Sequence, residues 1–207
     1  MFWHDDKTYT KHLEAQDFPA LGRFCQRCEE LGYQNNASFK AMKIEQMMMD
    51  DFGHYFVTYD AETESIFSIN GVQHLPMIDL NCWRILTRMC MLPEYSWRAK
   101  KETTTKGLKR ANNHHNSFIL SDIVPLQVEW TRTHHDDPMF VFTAKSELEE
   151  NDTAGKGKLV NRIIKYHARV PNSGITVLHE HYELYHALQN IFLVDVDQFA
   201  AYQKATR

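Results

Sequence analysis

The sequence predicts a single α+β domain in which helices pack on a sheet. Three observations carry that expectation. The chain has 207 residues, 43% hydrophobic and 24% charged, which is enough apolar material for one globular core. Stretches with apolar residues at helical spacing alternate with β-branched and aromatic stretches of period two. The resulting order is helix, helix, strand, strand, strand, helix, strand, helix, strand, strand, so both element types run through the whole chain.

The first helix is expected near residues 11 to 32, where Leu13, Phe18, Leu21, Phe24, Cys25, Cys28 and Leu31 share a face, with a bend near Pro19 and a stop at Gly32. A second runs from Ser38 to about Asp50, carrying Phe39, Met42, Ile44 and the Met47-Met48-Met49 run. The methionines read as core, with a malleable binding surface as the alternative. His54 to Tyr59 and Ser65 to Val72 form a hairpin about the polar turn Asp60 to Glu64. A third strand, Cys82 to Met91, alternates, with Trp83, Ile85, Thr87 and Met89 on one face and Cys82, Arg84, Leu86, Arg88 and Cys90 on the other.

Glu94 to Asn116 is polar and basic, with Arg98, Lys100, Lys101, Lys106, Lys109 and Arg110, and too long for an idle connection. It reads as a binding loop or as a solvated one. A helix from about Phe118 or Ser121 to His134 follows, with Pro125 either in its first turn or at a kink, then a short strand from Met139 to Thr143. A basic helix is expected from about Gly155 to Val170, broken by Pro171-Asn172-Ser173-Gly174. Thr176 to Tyr185 and Gln189 to Val196 read as the last strands, with a helical turn over Tyr182 to Leu188 as the alternative, and a final short helix follows Asp197.

Net charge is −4, without the basic excess of a dedicated nucleic-acid binder, so any nucleic-acid contact would be local, through the loop 98–110. No stretch reads as a membrane span or a secretory leader, and the four cysteines fit a reducing cytosol as buried free thiols, so a cytoplasmic protein without membrane contact is expected. Cys82 and Cys90 are too widely spaced to complete a zinc ribbon with Cys25 and Cys28.

The hairpin ending Ser68-Ile69-Asn70-Gly71-Val72, the strand Trp83-Arg84-Ile85-Leu86-Thr87-Arg88, the segment Ile123-Val124-Pro125-Leu126-Gln127 before Phe140-Val141-Phe142-Thr143, and the late Gln189-Asn190-Ile191-Phe192 occur in a telling order. From about residue 38 onward the chain resembles divergent, phage-encoded proteins of the GNAT family of N-acetyltransferases. That resemblance implies a mixed, mostly antiparallel sheet flanked by about four helices. It also implies an acyltransferase that moves an acyl group from acetyl-CoA or another acyl-CoA, or from a related amino-acyl donor, to an amine acceptor of unknown identity.

In the family, the strand corresponding to Cys82–Met91 splays from its neighbour. The loop after it carries a Q/R-x-x-G-x-G/A signature whose amides hold the CoA pyrophosphate. Here that position reads Leu92-Pro93-Glu94-Tyr95-Ser96-Trp97-Arg98, without the two glycines. Phosphate would then be held by side chains, with Arg84, Arg88, Arg98, Lys100 and Lys101 as candidates. Arg84 and Arg88 stand out because cations on one face of a central strand must be paired or face a ligand.

Acyl transfer needs a neutral amine and a proton donor for the thiolate. Glu94 is the candidate base, and Tyr95 and Tyr166 are the candidate donors. Two other readings stay open. One is a non-catalytic GNAT-like protein that binds host protein or nucleic acid, and the other a transferase of the same fold that modifies DNA bases. The histidine groups His179-Glu180-His181 and His134-His135-Asp136-Asp137 match no metal-ligand spacing, and no metal is expected. Gly155-Lys156-Gly157-Lys158 lacks the remaining residues of a phosphate-loop or dinucleotide fingerprint and reads as a flexible helix start.

Overall fold

The computed structural model describes residues 1–4, 6–31, 41–92, 122–145, 164–184 and 186–205, and for residues 41, 42, 88, 89 and 145 the backbone alone. The chain divides into two compact units, Met1–Gln73 with Leu86–Glu129 and His74–Ile85 with Trp130–Arg207.

Two strands open the first unit ahead of the expected first helix, and the second of them takes in residues 11 and 12, where that helix was expected to start. β1 (Phe2–Trp3) pairs antiparallel with β2 (Thr8–His12), and β2 pairs along its whole length with β3 (Gly53–Asp60), from Thr8↔Asp60 to His12↔Phe56. The reason is local: Thr8-Tyr9-Thr10-Lys11-His12 has the β-branched and aromatic side chains that suit a pleated surface. Thr10 is fully buried, and its hydroxyl meets that of Thr58 on β3 at 2.8 Å. A 3₁₀ turn (Ala15–Asp17) leads into α1 (Phe18–Glu30). Pro19 therefore lies at the start of the helix rather than at a bend, where its missing N–H leaves no bond unmade.

α1 and α2 (Ala41–Met49) place Leu21, Phe24, Cys25, Cys28, Ile44 and Met47 in one buried cluster with Tyr55, Val57 and Tyr59 of β3. The cluster extends to Ile66, Phe67 and Ile69 of β4 (Ser65–His74) and to Cys90 and Leu92. The methionine run divides between the two readings: Met47 belongs to the core, and Met49 is exposed. Every residue of β3 is buried, so both faces of this strand are covered. β3 and β4 form the expected hairpin, with a register shift at Thr58/Tyr59.

β5 (Cys82–Met91) passes from the second unit into the first at Ile85/Leu86. In the first unit it follows β4, giving the order β1-β2-β3-β4-β5, and Leu92 N–H donates to the Phe67 carbonyl at 2.8 Å. Gly71 marks the closest approach in this region. A Cβ there would lie 2.8 Å from two ring carbons of Tyr55 and 3.0 Å from the Thr87 methyl. α3 (Val124–His134) follows a single wider turn at 122–123, with Pro125 in its first turn as expected.

In the second unit the strand order is β5-β6-β8-β7, built from β6 (Met139–Lys145), β7 (Ile175–Leu184) and β8 (Ala187–Val194). The β6–β8 and β7–β8 pairs are antiparallel and β5–β6 is parallel, so the sheet is mixed and mostly antiparallel. The register of the parallel pair is set at its start. The Met139 N–H donates to the Asn81 carbonyl at 2.9 Å, while the Asn81 side-chain amide donates to the carbonyls of Asp136 and, at 2.9 Å, Asp137.

Residues 182–184 belong to β7, and Leu184↔Ala187 closes a tight hairpin in place of the alternative helical turn. The chain ends in α4 (Val196–Ala205). Of the expected basic helix, residues 164–167 are helical and the part before them lies outside the described residues, as does the expected stop at Gly32. Gly174 has φ of +77°, and a Cβ there would meet the Phe199 nitrogen at 2.5 Å, so only glycine lets 171–174 join α4 this closely.

Gly71→Ala is expected to cost about 1–3 kcal/mol, because the added methyl displaces the Tyr55 ring from a filled core. Chemical denaturation compared with wild type measures it.

Candidate functional site

The sequence directs attention to β5, and the structure shows that this strand is not regular. Leu86 has φ of +56°, a left-handed conformation that a bulky residue adopts only when its surroundings impose it. The surroundings here are Gln127 of α3, fully buried. Its Oε1 accepts the Leu86 N–H at 3.0 Å, and its Nε2 donates to the Gly71 carbonyl at 3.1 Å. A side chain thus supplies bonds that a regular ladder would have supplied. Counting in twos along β5 requires extended backbone throughout, so the expected common face of Arg84 and Arg88 does not follow across Leu86.

The parallel ladder between β5 and β6 has three pairs, Cys82↔Met139, Trp83↔Phe140 and Arg84↔Val141. β6 continues through Lys145, paired with β8 as far as Lys145↔Gln189, and among the described residues Phe142–Lys145 have no strand partner on the other side. Thr143 lies on this stretch. Its side chain is buried, and its hydroxyl makes no hydrogen bond among the described residues.

Of the candidate residues, Arg84 is half-buried on β5 in the second unit. Arg88 is on β5 in the first unit, and its side chain is outside the described residues, as are Glu94, Tyr95, Arg98, Lys100 and Lys101 altogether. Tyr166 lies in the helical turn 164–167, 64% exposed, its ring against that of His167 at 5.4 Å. His167 itself contacts the Tyr202 hydroxyl at 3.2 Å, and burial lowers its pKa. Of the candidate side chains, those of Arg84 and Tyr166 are therefore the ones the structure describes.

The histidine groups are structural in their visible contacts. His74 and His135 stack on Trp83, with ring centroids at 4.9 and 4.2 Å, and His134 stacks on Trp130 at 4.2 Å. β7 shifts register between His179 and Tyr182 and His181 has φ of +52°, so the two-residue alternation of a regular strand does not hold between His179 and His181. No group of three His, Cys, Asp or Glu side chains among the described residues is arranged to hold a metal.

Two polar clusters in the first unit escaped the sequence reading. Asp17 is buried and accepts from the Lys11 ammonium at 2.8 Å, the Tyr59 hydroxyl at 2.8 Å and the Glu14 N–H at 2.9 Å. Burial alone would raise its pKa, but these three donors outweigh burial and hold the carboxyl below its usual value. Tyr59 is pushed up by burial and by the same carboxylate.

The second cluster is a chain: Asp122 Oδ2 to His4 Nδ1 at 3.2 Å, His4 Nε2 to the Thr10 hydroxyl at 2.7 Å, and Thr10 to Thr58. Its order of acid, imidazole and hydroxyl is that of an activated nucleophile. Thr10 is nevertheless 0% exposed and shares its hydroxyl with Thr58, so no carbonyl can reach it.

All four cysteines are buried and free. Cys28 and Cys90 have sulfurs 3.8 Å apart, and burial pushes Cys25 and Cys82 up to about 12. These thiols are poor nucleophiles at neutral pH.

The fold is similar to solved acetyltransferase structures. A GNAT-family protein from Desulfovibrio desulfuricans matches with a TM-score of 0.53 at 11% identity, over 91% of this chain and 99% of that one. An acetyltransferase of the GNAT family from Staphylococcus aureus Mu50 matches with a TM-score of 0.50 at 9% identity, over 91% and 99%. The chain therefore has a GNAT acetyltransferase-like fold, and identity this low speaks to fold alone. No protein-family model matches the sequence, and no curated protein matches it. Among the described residues no helix is long and apolar enough to cross a membrane.

Asp17 gives a pH prediction whose sign is fixed. Its folded pKa lies below the unfolded value near 3.8, so its stabilisation is complete above that value and is lost as pH falls through the lower folded pKa. Asp17→Asn is expected to cost about 1–3 kcal/mol at neutral pH, with the gap from wild type closing as pH falls below about 4. Urea midpoints across an acid series measure the gap, and a pH-independent gap contradicts the assignment.

Proposed function

We propose that the chain transfers an acyl group from an acyl-CoA to an amine. One observation carries this reading: in a GNAT-like fold, the parallel β5–β6 ladder ends after Arg84↔Val141 while β6 runs on to Lys145. Among the described residues, the backbone groups of Phe142–Lys145 that are not used by β8 have no strand partner, and the extended arm of CoA carries amides of the kind that pair with a strand. The buried Thr143 hydroxyl fits a polar ligand on the same stretch. The fit is thus to backbone and hydroxyl groups, with phosphate contacts falling to Arg84, Arg88, Arg98, Lys100 and Lys101.

Acyl-CoA supplies an acyl group activated as a thioester. The protein has to exclude water, hold the acceptor amine neutral and return a proton to the departing thiolate. Glu94 is proposed as the base, and Tyr95 or Tyr166 as the proton donor. Tyr166 is exposed enough to reach solvent-borne substrate. A second reading is favoured by Leu92–Arg98, which lacks the paired glycines whose backbone would approach a pyrophosphate: a GNAT-like protein that binds without catalysis.

Acetyl-CoA at about one hundred times its Kd is expected to stabilise the protein by about 2.7 kcal/mol, a rise in Tm of roughly 5–10 °C for a chain of this size. Arg84→Met is expected to keep the unliganded Tm within a few degrees and to remove most of that rise. No shift with acetyl-CoA, together with salt-sensitive binding to DNA, contradicts the acyl-CoA reading. An unfolded Arg84→Met variant assigns Arg84 a structural role.

A further inference from the structure

Three of the four cysteines meet in the first unit. Cys25 and Cys28 lie one turn apart on α1 and Cys90 lies near the end of β5, and all three belong to the buried cluster that α1 and α2 share with the sheet. The Cys28 and Cys90 sulfurs are 3.8 Å apart, which is van der Waals contact with no room for an atom between them. Cys82 is fully buried as well, but it lies in the second unit.

A disulfide has an S–S length of about 2.05 Å, so the Cys28 and Cys90 sulfurs have to close by about 1.8 Å. A side-chain rotation at each end covers such a distance if the packing around it yields. Met47 lies in the same cluster and Met48 and Met91 pack against it, and methionine refills small gaps readily. The two residues stand 62 apart in sequence, so a bond between them closes a loop holding α2, β3, β4 and most of β5. Long loops lose the most unfolded-state entropy on closure. The bond would also fall on the part of β5 between the left-handed Leu86 and the Leu92 N–H that donates to Phe67.

Thiols held in this way react slowly. The Cys28 sulfur and burial push the Cys90 thiol up, so little thiolate forms at neutral pH and only sustained oxidant turns the pair over.

We propose that Cys28 and Cys90 form a reversible disulfide when the protein meets a peroxide, and that this bond clamps the end of β5 to α1. The device is independent of the acyl-transfer reading. One sulfur takes a peroxide oxygen as the O–O bond breaks, giving a sulfenic acid and a water. The second sulfur then forms the S–S bond and displaces that oxygen as a second water. The two thiols lose two protons and two electrons, and the peroxide takes up both.

The test uses the whole chain, purified reduced and then treated with hydrogen peroxide in native buffer. After an acid quench and alkylation in denaturant, unreduced peptides are read by mass spectrometry. The expected product joins the Cys28 and Cys90 peptides, with Cys25 and Cys82 still alkylated, and dithiothreitol restores both thiols. Tm is expected to rise by roughly 8–15 °C on oxidation and to fall back with dithiothreitol. Cys25→Ala is expected to keep the link, whereas Cys90→Ala loses both the link and the rise. Should Cys90→Ala fail to fold, the wild-type and Cys25→Ala peptide maps decide the question.

The disulfide is overturned if Cys28 and Cys90 stay as thiols, if they are oxidised singly to sulfinic acids, if Cys25 pairs with Cys28 instead, or if the link appears only in urea. A Cys28–Cys90 link that leaves Tm unchanged or lowers it overturns the clamp.

Discussion

Gln127 is fully buried and uses both ends of its amide on main chain, accepting from Leu86 on β5 and donating to Gly71 on β4. A buried N–H or carbonyl without a partner costs about 1–3 kcal/mol, so the left-handed Leu86 is tenable only because this side chain meets it. The constraint propagates locally. Gly71 must have no side chain, since Tyr55 and Thr87 close over it, and Thr87 in turn reaches the Gln73 side chain at 3.4 Å. The strand most expected to carry function is thus held out of regular geometry by a residue on α3.

Such a departure is tolerated where surrounding packing over-determines it, and in the first unit that packing is dense. β3 is buried along its whole length, and the α1–α2 layer closes one face of the sheet with Leu21, Phe24, Ile44 and Met47. The Asp17 cluster ties the turn before α1 to β2 and β3 through Lys11 and Tyr59. In the second unit, Asn81 anchors the start of the parallel pair, and the ladder then stops although β6 continues.

Much of this was legible in the sequence where local pattern and tertiary role agree. The β3–β4 hairpin, β5, β6, the β7–β8 pair, α2, α3 and the closing helix fall close to where periodicity put them, and the mixed sheet follows the resemblance. β2 was missed because its five residues are too short a pattern to stand out beside the helical spacing that begins at Leu13. What makes it a strand is Thr10 meeting Thr58, far along the chain. The turn at Leu86 was invisible because leucine gives no signal for positive φ, and its cause, Gln127, lies on another element. Of the candidate site residues, Arg84 and Tyr166 have described side chains.

The account turns on the end of the β5–β6 ladder being where the acyl donor lies. Amide hydrogen exchange over β6, with and without acetyl-CoA, tests that directly, because among the described residues the amides of Phe142–Lys145 that point away from β8 have no strand partner. The predicted result is a selective slowing of exchange in Phe142–Lys145 on adding acetyl-CoA, with the β7–β8 hairpin unchanged. Exchange in Phe142–Lys145 that is identical with and without saturating acetyl-CoA would contradict it.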